Sequence, residues 1–340
     1  MGSRDRKVKR YFYKKGSQSR TLAPFSITES ERSLYMKSKN KKLKLVKKYI
    51  PVYIMMLPGI IYIIFNNLMP LPGMVLAFKS YNARKGIFGS PWVGLSNFKY
   101  LFANDAWYIT RNTILYNVAF IVINTFLSIL VAIVLSEMTS KLKKFYQSAI
   151  LLPYLMSMVI VSYLVYGFLS TDQGLLNQLI TFFGGERVSW YAEGKYWPFI
   201  LIFVNAWKGV GYSCIIYMST ILGFDRSYYE AAAIDGASKW QQIRYITVPL
   251  LKGTVIMMTV LSIGRIFYSD FGLFYQVPRN SGALYQMTNT IDTYVYRGLL
   301  ELGDINMSAA AGFYQSIVGF ILVLTTNLIV RKKDPQSALF

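Results

Sequence analysis

The chain has 340 residues, of which 54% are hydrophobic and only 16% are charged, against about 25% charged in typical soluble proteins. This composition is typical of an integral membrane protein. The sequence contains no histidine, which excludes histidine-based triads and general bases and most zinc or haem sites. The single cysteine, Cys214, excludes an intramolecular disulfide and a thiolate metal cluster.

The amino-terminal segment carries most of the positive charge. Residues 1–48 hold 16 Lys and Arg and only 3 acidic residues, in a chain of net charge +21. We therefore predict a basic, partly disordered cytoplasmic tail over 1–48, a membrane domain over 49–334 and a short cytoplasmic tail over 335–340. Residues Lys37–Lys48 indicate a juxtamembrane segment attracted to anionic membrane lipid. Nucleic-acid binding is disfavoured because the tail has no pattern of aromatic residues for base stacking.

Six segments are long and apolar enough to cross a bilayer core, which takes about 20 helical residues. The sequence predicts an all-α fold, a polytopic membrane protein of six transmembrane helices. In the first span, Pro58, Pro70 and Pro72 with Asn66 and Asn67 predict a kink or break near the outer end. The predicted spans are Ile50–Phe78, Ile109–Leu135, Phe145–Leu169, Trp197–Leu222, Thr247–Phe274 and Met307–Val330.

Basic residues in the loops predict the orientation. They follow the second, fourth and sixth spans, at Lys141, Lys143, Lys144, Arg226, Lys239, Arg244, Arg331, Lys332 and Lys333. The positive-inside rule therefore predicts that both termini and residues 227–246 are cytoplasmic. The predicted outward loops, 79–108, 170–196 and 275–306, are longer and less basic per residue.

A polar stretch, Ser227–Leu251, interrupts the apolar spans. Ser227 and Glu230 have the spacing of a capping box, and Gly236 is suited to the left-handed conformation that ends a helix. Ser238 and Gln241 repeat the capping-box spacing, which predicts a second short helix. Pro249 is expected in the first turn of the following span, where its missing N–H is no loss.

No phosphate-binding loop of the form G-x-x-x-x-G-K-[ST] occurs in the sequence. The chain therefore cannot hold the phosphates of ATP in that way by itself. Any ATP used to drive its function must be hydrolysed by another subunit. No internal repeat is evident either, which disfavours a self-contained transporter built from inverted repeats.

Eight residues of the polar stretch form a motif, within a segment that we define as 227–249. They are Glu230, Ala231, Ala232, Asp235, Gly236, Ala237, Ile246 and Pro249. This pattern resembles the EAA coupling loop of permease subunits of binding-protein-dependent ABC importers. The similarity extends over residues 50–335, and it is closest to sugar-type permeases for complex oligosaccharides at residues 91–104, Leu151-Leu152-Pro153 and Gly174-Leu175-Leu176-Asn177.

The resemblance implies a transport subunit of a bacterial cell membrane with no catalytic residues of its own. An extracytoplasmic solute-binding protein would deliver a carbohydrate, and a second permease subunit, by family habit a different chain, would complete the pathway. Two ATPase subunits would dock on the 227–249 segment and bind ATP and Mg. No cofactor or metal is expected on this chain.

Two roles remain open for Glu230 and for Gly236. Glu230 would cap its own helix as the third residue of a capping box, or it would form an ion pair with an arginine of the ATPase. Gly236 would be required for backbone shape alone or also for close docking of the partner. The flanking alanines are good helix formers and also permit close approach.

Three charged residues lie in predicted spans, where charge is costly without a partner or a watered cavity. Lys208 and Arg265 are each about 10 residues from the outer end of a span, near mid-membrane, and Asp270 follows five residues after Arg265. A Lys208–Asp270 pair is predicted. Two cations facing the pathway would favour an acidic sugar. The polar and aromatic neighbours that suit a carbohydrate are Asn205, Trp207, Tyr212, Tyr268 and Phe271, although ion pairing between helices and ordinary packing would also explain these residues.

Other functions are weighed against the permease. A membrane scaffold that signals through the same coupling segment would use the long basic tail. A secondary transporter driven by an ion gradient would transport without ATP and gives no reason for the 227–249 motif. An intramembrane enzyme is the least favoured, because no acid–base pair can be named.

Overall fold

The computed structural model describes residues 48–102 and 106–333, and their regular secondary structure is helical, apart from one isolated antiparallel bridge between Lys79 and Trp92. The described residues divide into two compact units, and the boundary in the chain is between Leu71 and Pro72. Of the predicted basic tail only Lys48 is described. The predicted carboxy-terminal tail, 335–340, lies outside the described residues.

Five described helices are long and apolar enough to cross a membrane, and one bent pair makes a sixth span. We number the spans in chain order as Lys48–Phe78, Ala106–Glu137, the pair Ser140–Leu155 with Met158–Leu169, Trp197–Leu222, Lys239–Ile263 and Ile305–Lys333. The shorter helices are Gly86–Gly89, Ser96–Tyr100, Leu175–Phe182, Ser227–Ile234, Tyr285–Thr288 and Ile291–Leu300. The all-α prediction of six membrane spans is confirmed.

The first span changes its helix type toward its carboxy-terminal end, as predicted. An α-helix from residue 48 to residue 63 widens into a π-helical turn over Ile64–Leu68, in which the Met69 amide donates to the Ile64 carbonyl at 2.8 Å. A 3₁₀ helix over Leu71–Phe78 follows. Pro70, which has no amide hydrogen, lies between the two segments and cannot continue the ladder of hydrogen bonds.

The third span is broken, whereas the sequence predicted one helix over Phe145–Leu169. Its two halves are bent by 97° at residues 156 and 157. The second half begins with a side-chain cap, because the Ser157 hydroxyl accepts a hydrogen bond from the Ile160 amide at 3.4 Å. A serine inside an apolar stretch thus marks a helix start that the hydrophobic pattern did not reveal.

The fifth span ends at Ile263, and the prediction that it continues to Phe274 is wrong. Residues 264–270 form turns and irregular backbone, followed by a π-helical turn over Gly272–Gln276. Side chains distant in sequence hold this segment. Asp292 accepts the Ser269 amide at 2.7 Å, and Gln315 donates to the Phe267 carbonyl at 2.8 Å. These bonds replace the helical ones that the segment lacks.

The loop over 275–306 is organised by Arg297, which is 6% exposed. Its Nε donates to the side-chain oxygen of Asn280 at 2.7 Å, and the guanidinium lies 4.0 Å from the ring centre of Tyr285. Burial lowers the pKa of Arg297. Glu301 accepts hydrogen bonds from Asn280 and Tyr275, so the loop has a polar core of its own.

The second and fourth spans pack along each other and form the centre of the membrane domain. Gly211 of the fourth span also permits close contact with the third. A Cβ atom at position 211 would lie 2.1 Å from the backbone oxygen of Ile150, which is far inside van der Waals contact. The fourth span can therefore approach the Ser140–Leu155 helix only because residue 211 has no side chain.

Gly211→Val is expected to lower the free energy of unfolding of the purified protein by at least about 1–3 kcal/mol, because the clash is with backbone. Gly253→Ala is the matched control, since a Cβ atom there meets nothing within 4 Å. Thermal unfolding in detergent measures both variants. Equal stability of the two would contradict the close approach at Gly211.

Candidate functional site

The 227–249 segment is two helical pieces joined at Gly236. The first, Ser227–Ile234, ends in a Schellman motif: Ala237 donates to the Ala232 carbonyl at 2.8 Å and Gly236 to the Ala233 carbonyl at 3.1 Å. Gly236 has a φ of +80°, as predicted. The left-handed conformation that this glycine supplies therefore sets the angle between the two pieces.

The second piece is continuous with the fifth span. The predicted capping box is confirmed, since Ser238 donates its amide to Gln241 at 2.7 Å and accepts the Gln241 amide at 3.4 Å. The helix then passes through a π-helical turn, Ile243–Thr247, into Val248–Ile263. Pro249 lies in the first turn of that last helix, as predicted. The wider turn before it accommodates a residue that cannot donate a hydrogen bond.

The capping box predicted at Ser227 and Glu230 is wrong. The residue at the N-cap position is Arg226, without a side-chain cap, and the Ser227 amide donates instead to the carboxylate of Asp225 at 2.9 Å. Hydrogen bonds from Ser227, chiefly from its backbone, lower the pKa of Asp225. The Asp225 carboxylate, two residues before Ser227, thus accepts the Ser227 amide, which the predicted capping box assigned to Glu230.

The Glu230 carboxylate consequently has no partner in the part of the chain that the structure describes. Glu230 is exposed, and neither of the two ion pairs among the described residues involves it, nor does any hydrogen bond of its side chain to another described residue. Large apolar side chains of the same segment are also exposed: Tyr228 (56%), Ile234 (87%), Trp240 (68%) and Tyr245 (68%). Exposed apolar groups beside an unpaired charge are typical of a surface that binds another protein.

The segment is attached to the carboxy-terminal end of the second span. Lys239 forms an ion pair with Glu137, the last residue of the second span, at 3.1 Å. The hydroxyls of Tyr229 and Thr247 lie 3.0 Å apart, which joins the first helical piece to the second. These contacts border a cleft of about 420 Å³ that also includes Glu230. The ion pair therefore joins the segment to the second span, and the contact between the two hydroxyls joins its two helical pieces.

A separate polar cleft of about 250 Å³ lies between the second, fourth and fifth spans. It brings together three of the predicted pathway residues, Asn205, Arg265 and Tyr268. The Asn124 amide donates to the Asn205 side-chain oxygen at 2.7 Å across the cleft wall. The remaining polar lining residues are Asn117, Thr125, Ser213, Tyr217 and Ser262. None of the described residues that line the cleft is acidic.

The sequence analysis did not identify the contribution of the second span. Thr113, Asn117, Asn124 and Ser128 recur at helical spacing along that apolar helix, and a polar stripe of this kind could have been found from periodicity. Asn117 and Asn124 line the cleft. The oxygen of Asn124 is buried and has no hydrogen-bond partner among the described residues.

The predicted Lys208–Asp270 pair is wrong. The Lys208 ammonium donates to the backbone oxygens of Tyr154 at 2.8 Å and Met156 at 2.7 Å, at the break in the third span. Asp270 instead accepts the Leu273 amide at 3.1 Å and caps the turn that follows. Both charges are used by backbone groups that the broken helices leave without partners.

The other predicted pathway residues lie outside the polar cleft. Trp207 lines an apolar groove of about 600 Å³ between the second half of the third span and the fourth span. Tyr212 stacks on Tyr154 at 4.7 Å between ring centres. Phe271 stacks on Tyr275 at 4.9 Å and also contacts Tyr296. Of the predicted set, only Asn205, Arg265 and Tyr268 share one cavity.

The chain has clear relatives. Residues 100–334 match the family described as binding-protein-dependent transport system inner membrane component. The chain is 36% identical over 304 residues to the polygalacturonan/rhamnogalacturonan transport system permease protein YteP of Bacillus subtilis (strain 168), covering 88% of this chain and 94% of the relative. The chain belongs to this family and is a transmembrane permease.

Solved structures share the fold. A chain of a bacterial ABC transporter involved in the import of the acidic polysaccharide alginate is 29% identical, with a TM-score of 0.78, over 86% of this chain and 99% of that one. The same alginate transporter in complex with its alginate pentasaccharide-bound periplasmic protein has a chain with a TM-score of 0.76 and 29% identity, covering 85% of this chain and 96% of that one.

Lys208→Met is expected to lower the free energy of unfolding of the purified protein by about 1–3 kcal/mol, because carbonyls at the break lose a charged donor. Lys252→Met removes the same charge from the exposed side of the fifth span, where no hydrogen bond to a described residue is lost. Thermal unfolding in detergent compares them. A Lys208 variant as stable as the Lys252 variant would show that the break does not need this donor.

Proposed function

We propose that this chain forms one half of the translocation pathway of an ABC importer for oligosaccharides. A second, different permease chain completes the pathway, and an extracytoplasmic binding protein delivers the sugar. Two ATPase subunits bind ATP and Mg and dock on the 227–249 segment on the cytoplasmic side, where both termini also lie. The names of the relative and of the solved transporter support a carbohydrate cargo.

One observation carries the proposal. The helix that starts beside Gly236 runs for 25 residues, Lys239–Ile263, and ends two residues before Arg265 in the polar cleft. At 1.5 Å per residue it is about 37 Å long. A partner that moves the 227–249 segment therefore moves one wall of the cleft through a single helix. Coupling of this kind is a rigid-body movement, and it needs no signal through flexible loops.

The polar cleft is suited to a sugar in its chemistry. Side-chain amides and hydroxyls match the donors and acceptors of sugar hydroxyl groups. Tyr268, which is 50% exposed, offers an aromatic face to the apolar C–H surface of a sugar ring. Irregular backbone at 264–270 is tolerated in a membrane only where it lines a cavity or is buried in protein.

The decisive test is uptake by the complete importer in proteoliposomes. We expect import of oligosaccharide that requires ATP, the ATPase subunits and the binding protein together. Uptake that proceeds without the ATPase and follows an ion gradient would overturn the proposal.

Gly236→Val is expected to leave the permease in the membrane and to abolish co-purification of the ATPase, because a β-branched residue disfavours a φ of +80° by about 1–2 kcal/mol. Gly236→Pro is expected to do the same. Gly236→Asn is the control, since asparagine tolerates this conformation. Full transport by the valine variant would contradict the docking role of the segment.

Glu230→Gln is expected to change the free energy of unfolding by less than about 0.5 kcal/mol, because the carboxylate has no partner among the described residues. Binding of the ATPase should weaken by about 10-fold or more if the carboxylate pairs with an arginine of that subunit. Affinity of the detergent-purified permease pair for the ATPase provides the measurement. Unchanged affinity would show that Glu230 does not contribute to docking.

A further inference from the structure

Among the described residues that line the polar cleft, Arg265 is the only charged one, and no carboxylate of this lining pairs with it. The cleft wall consists of uncharged amides, hydroxyls and apolar side chains. Both ion pairs among the described residues lie elsewhere, at Lys195–Glu193 and Lys239–Glu137. A guanidinium within a membrane domain is costly unless something compensates its charge.

Two carboxylates at the segment 264–270, Asp270 and Asp292, accept hydrogen bonds from other groups. Asp292 accepts hydrogen bonds from the amide and hydroxyl of Ser269, both at 2.7 Å, and from Gln315 at 3.1 Å. Asp270 caps the Leu273 amide. Neither carboxylate forms an ion pair with Arg265 among the described residues.

The backbone that carries Arg265 is fixed. It lies in the irregular segment 264–270, which Gln315 and Asp292 hold by hydrogen bonds at Phe267 and Ser269. Arg265 itself is exposed, and Asn117 and Asn205 line the same cleft. A specific anion site requires a cation whose backbone is held in place, with polar groups nearby that bind hydroxyls.

Resting on the oligosaccharide import proposed above, we infer that this cleft selects acidic sugars and that Arg265 binds the carboxylate of a uronate unit. The planar guanidinium matches a carboxylate with two parallel hydrogen bonds. Asn117 and Asn205 bind the ring hydroxyls. The Lys208 ammonium is hydrogen-bonded to backbone oxygens of the third span. The cleft therefore offers one cation, Arg265, and binds one carboxylate at a time.

The test compares a galacturonate trisaccharide with its methyl ester, which has the same ring hydroxyls and no charge. Import of each is measured in proteoliposomes that contain the complete importer. Arg265→Gln should reduce import of the charged sugar by about 10-fold to 100-fold and change import of the ester by less than about 2-fold. Each variant is compared with the wild type for the same sugar. A preference of the binding protein for one of the two sugars therefore does not affect the comparison.

Two further variants separate recognition from general effects. Arg265→Lys keeps the charge but loses the planar fork, so import of the charged sugar should fall between the wild type and Arg265→Gln. Arg331→Gln makes the same chemical change at the exposed end of the sixth span, outside the cleft, and should import both sugars as the wild type does.

The outcomes distinguish this inference from the proposed function. Equal loss of both sugars in Arg265→Gln, or no loss of either, overturns the role of Arg265. Import of neutral oligosaccharides by the wild type without import of the galacturonate trisaccharide overturns the acidic preference and leaves the proposed function standing. Absence of ATP-dependent import for every oligosaccharide overturns the proposed function and this inference with it.

Discussion

The hydrogen bonds from Asp292 and Gln315 to the segment 264–270 are the constraint on which the candidate pathway depends. A helix that stops inside a membrane domain leaves backbone groups that water cannot satisfy. Here the carboxylate binds the Ser269 amide and the side-chain amide binds the Phe267 carbonyl. Asp292 lies in the helix before the sixth span, and Gln315 lies within that span. Their hydrogen bonds therefore join the sixth span and the helix before it to the irregular segment 264–270. The position of Arg265 follows from this arrangement.

The break in the third span solves the same problem with the opposite charge. The Lys208 ammonium supplies hydrogen bonds to carbonyls at the end of the Ser140–Leu155 helix, where the helix dipole also favours a cation. The two breaks are neighbours: a Cβ atom at Gly272 would lie 2.8 Å from the Cβ atom of Met158. The charged side chains of Lys208 and Asp270 thus form hydrogen bonds with backbone groups at the two breaks.

The exposed 227–249 segment and the polar cleft are linked by a stiff connection. Gly236 fixes the angle of the first helical piece, and the ion pair between Lys239 and Glu137 fastens the second piece to the second span. The helix Lys239–Ile263 then extends without a loop to the cleft. This geometry gives a short route by which a movement of the 227–249 segment reaches the polar cleft.

The sequence by itself determined the features that depend on near neighbours or on composition. Six apolar stretches, the left-handed glycine at 236 and the capping box of Ser238 and Gln241 were all predicted, because each is specified within a few residues or by the energy of placing apolar groups in lipid. The prediction of a capping box at Ser227 and Glu230 was wrong for a local reason, because the Asp225 carboxylate accepts the Ser227 amide.

Tertiary structure alone decided the ends of the spans and the membership of the cleft. The fifth span stops at Ile263 because Asp292 and Gln315, far along the chain, offer better partners than helix continuation does. Asn124 and Asn205 meet although 81 residues separate them, and Lys208 binds carbonyls more than 50 residues away. Hydropathy gives the depth of a charge in a span, but it does not give the partner, because the partner depends on which helix faces are brought together.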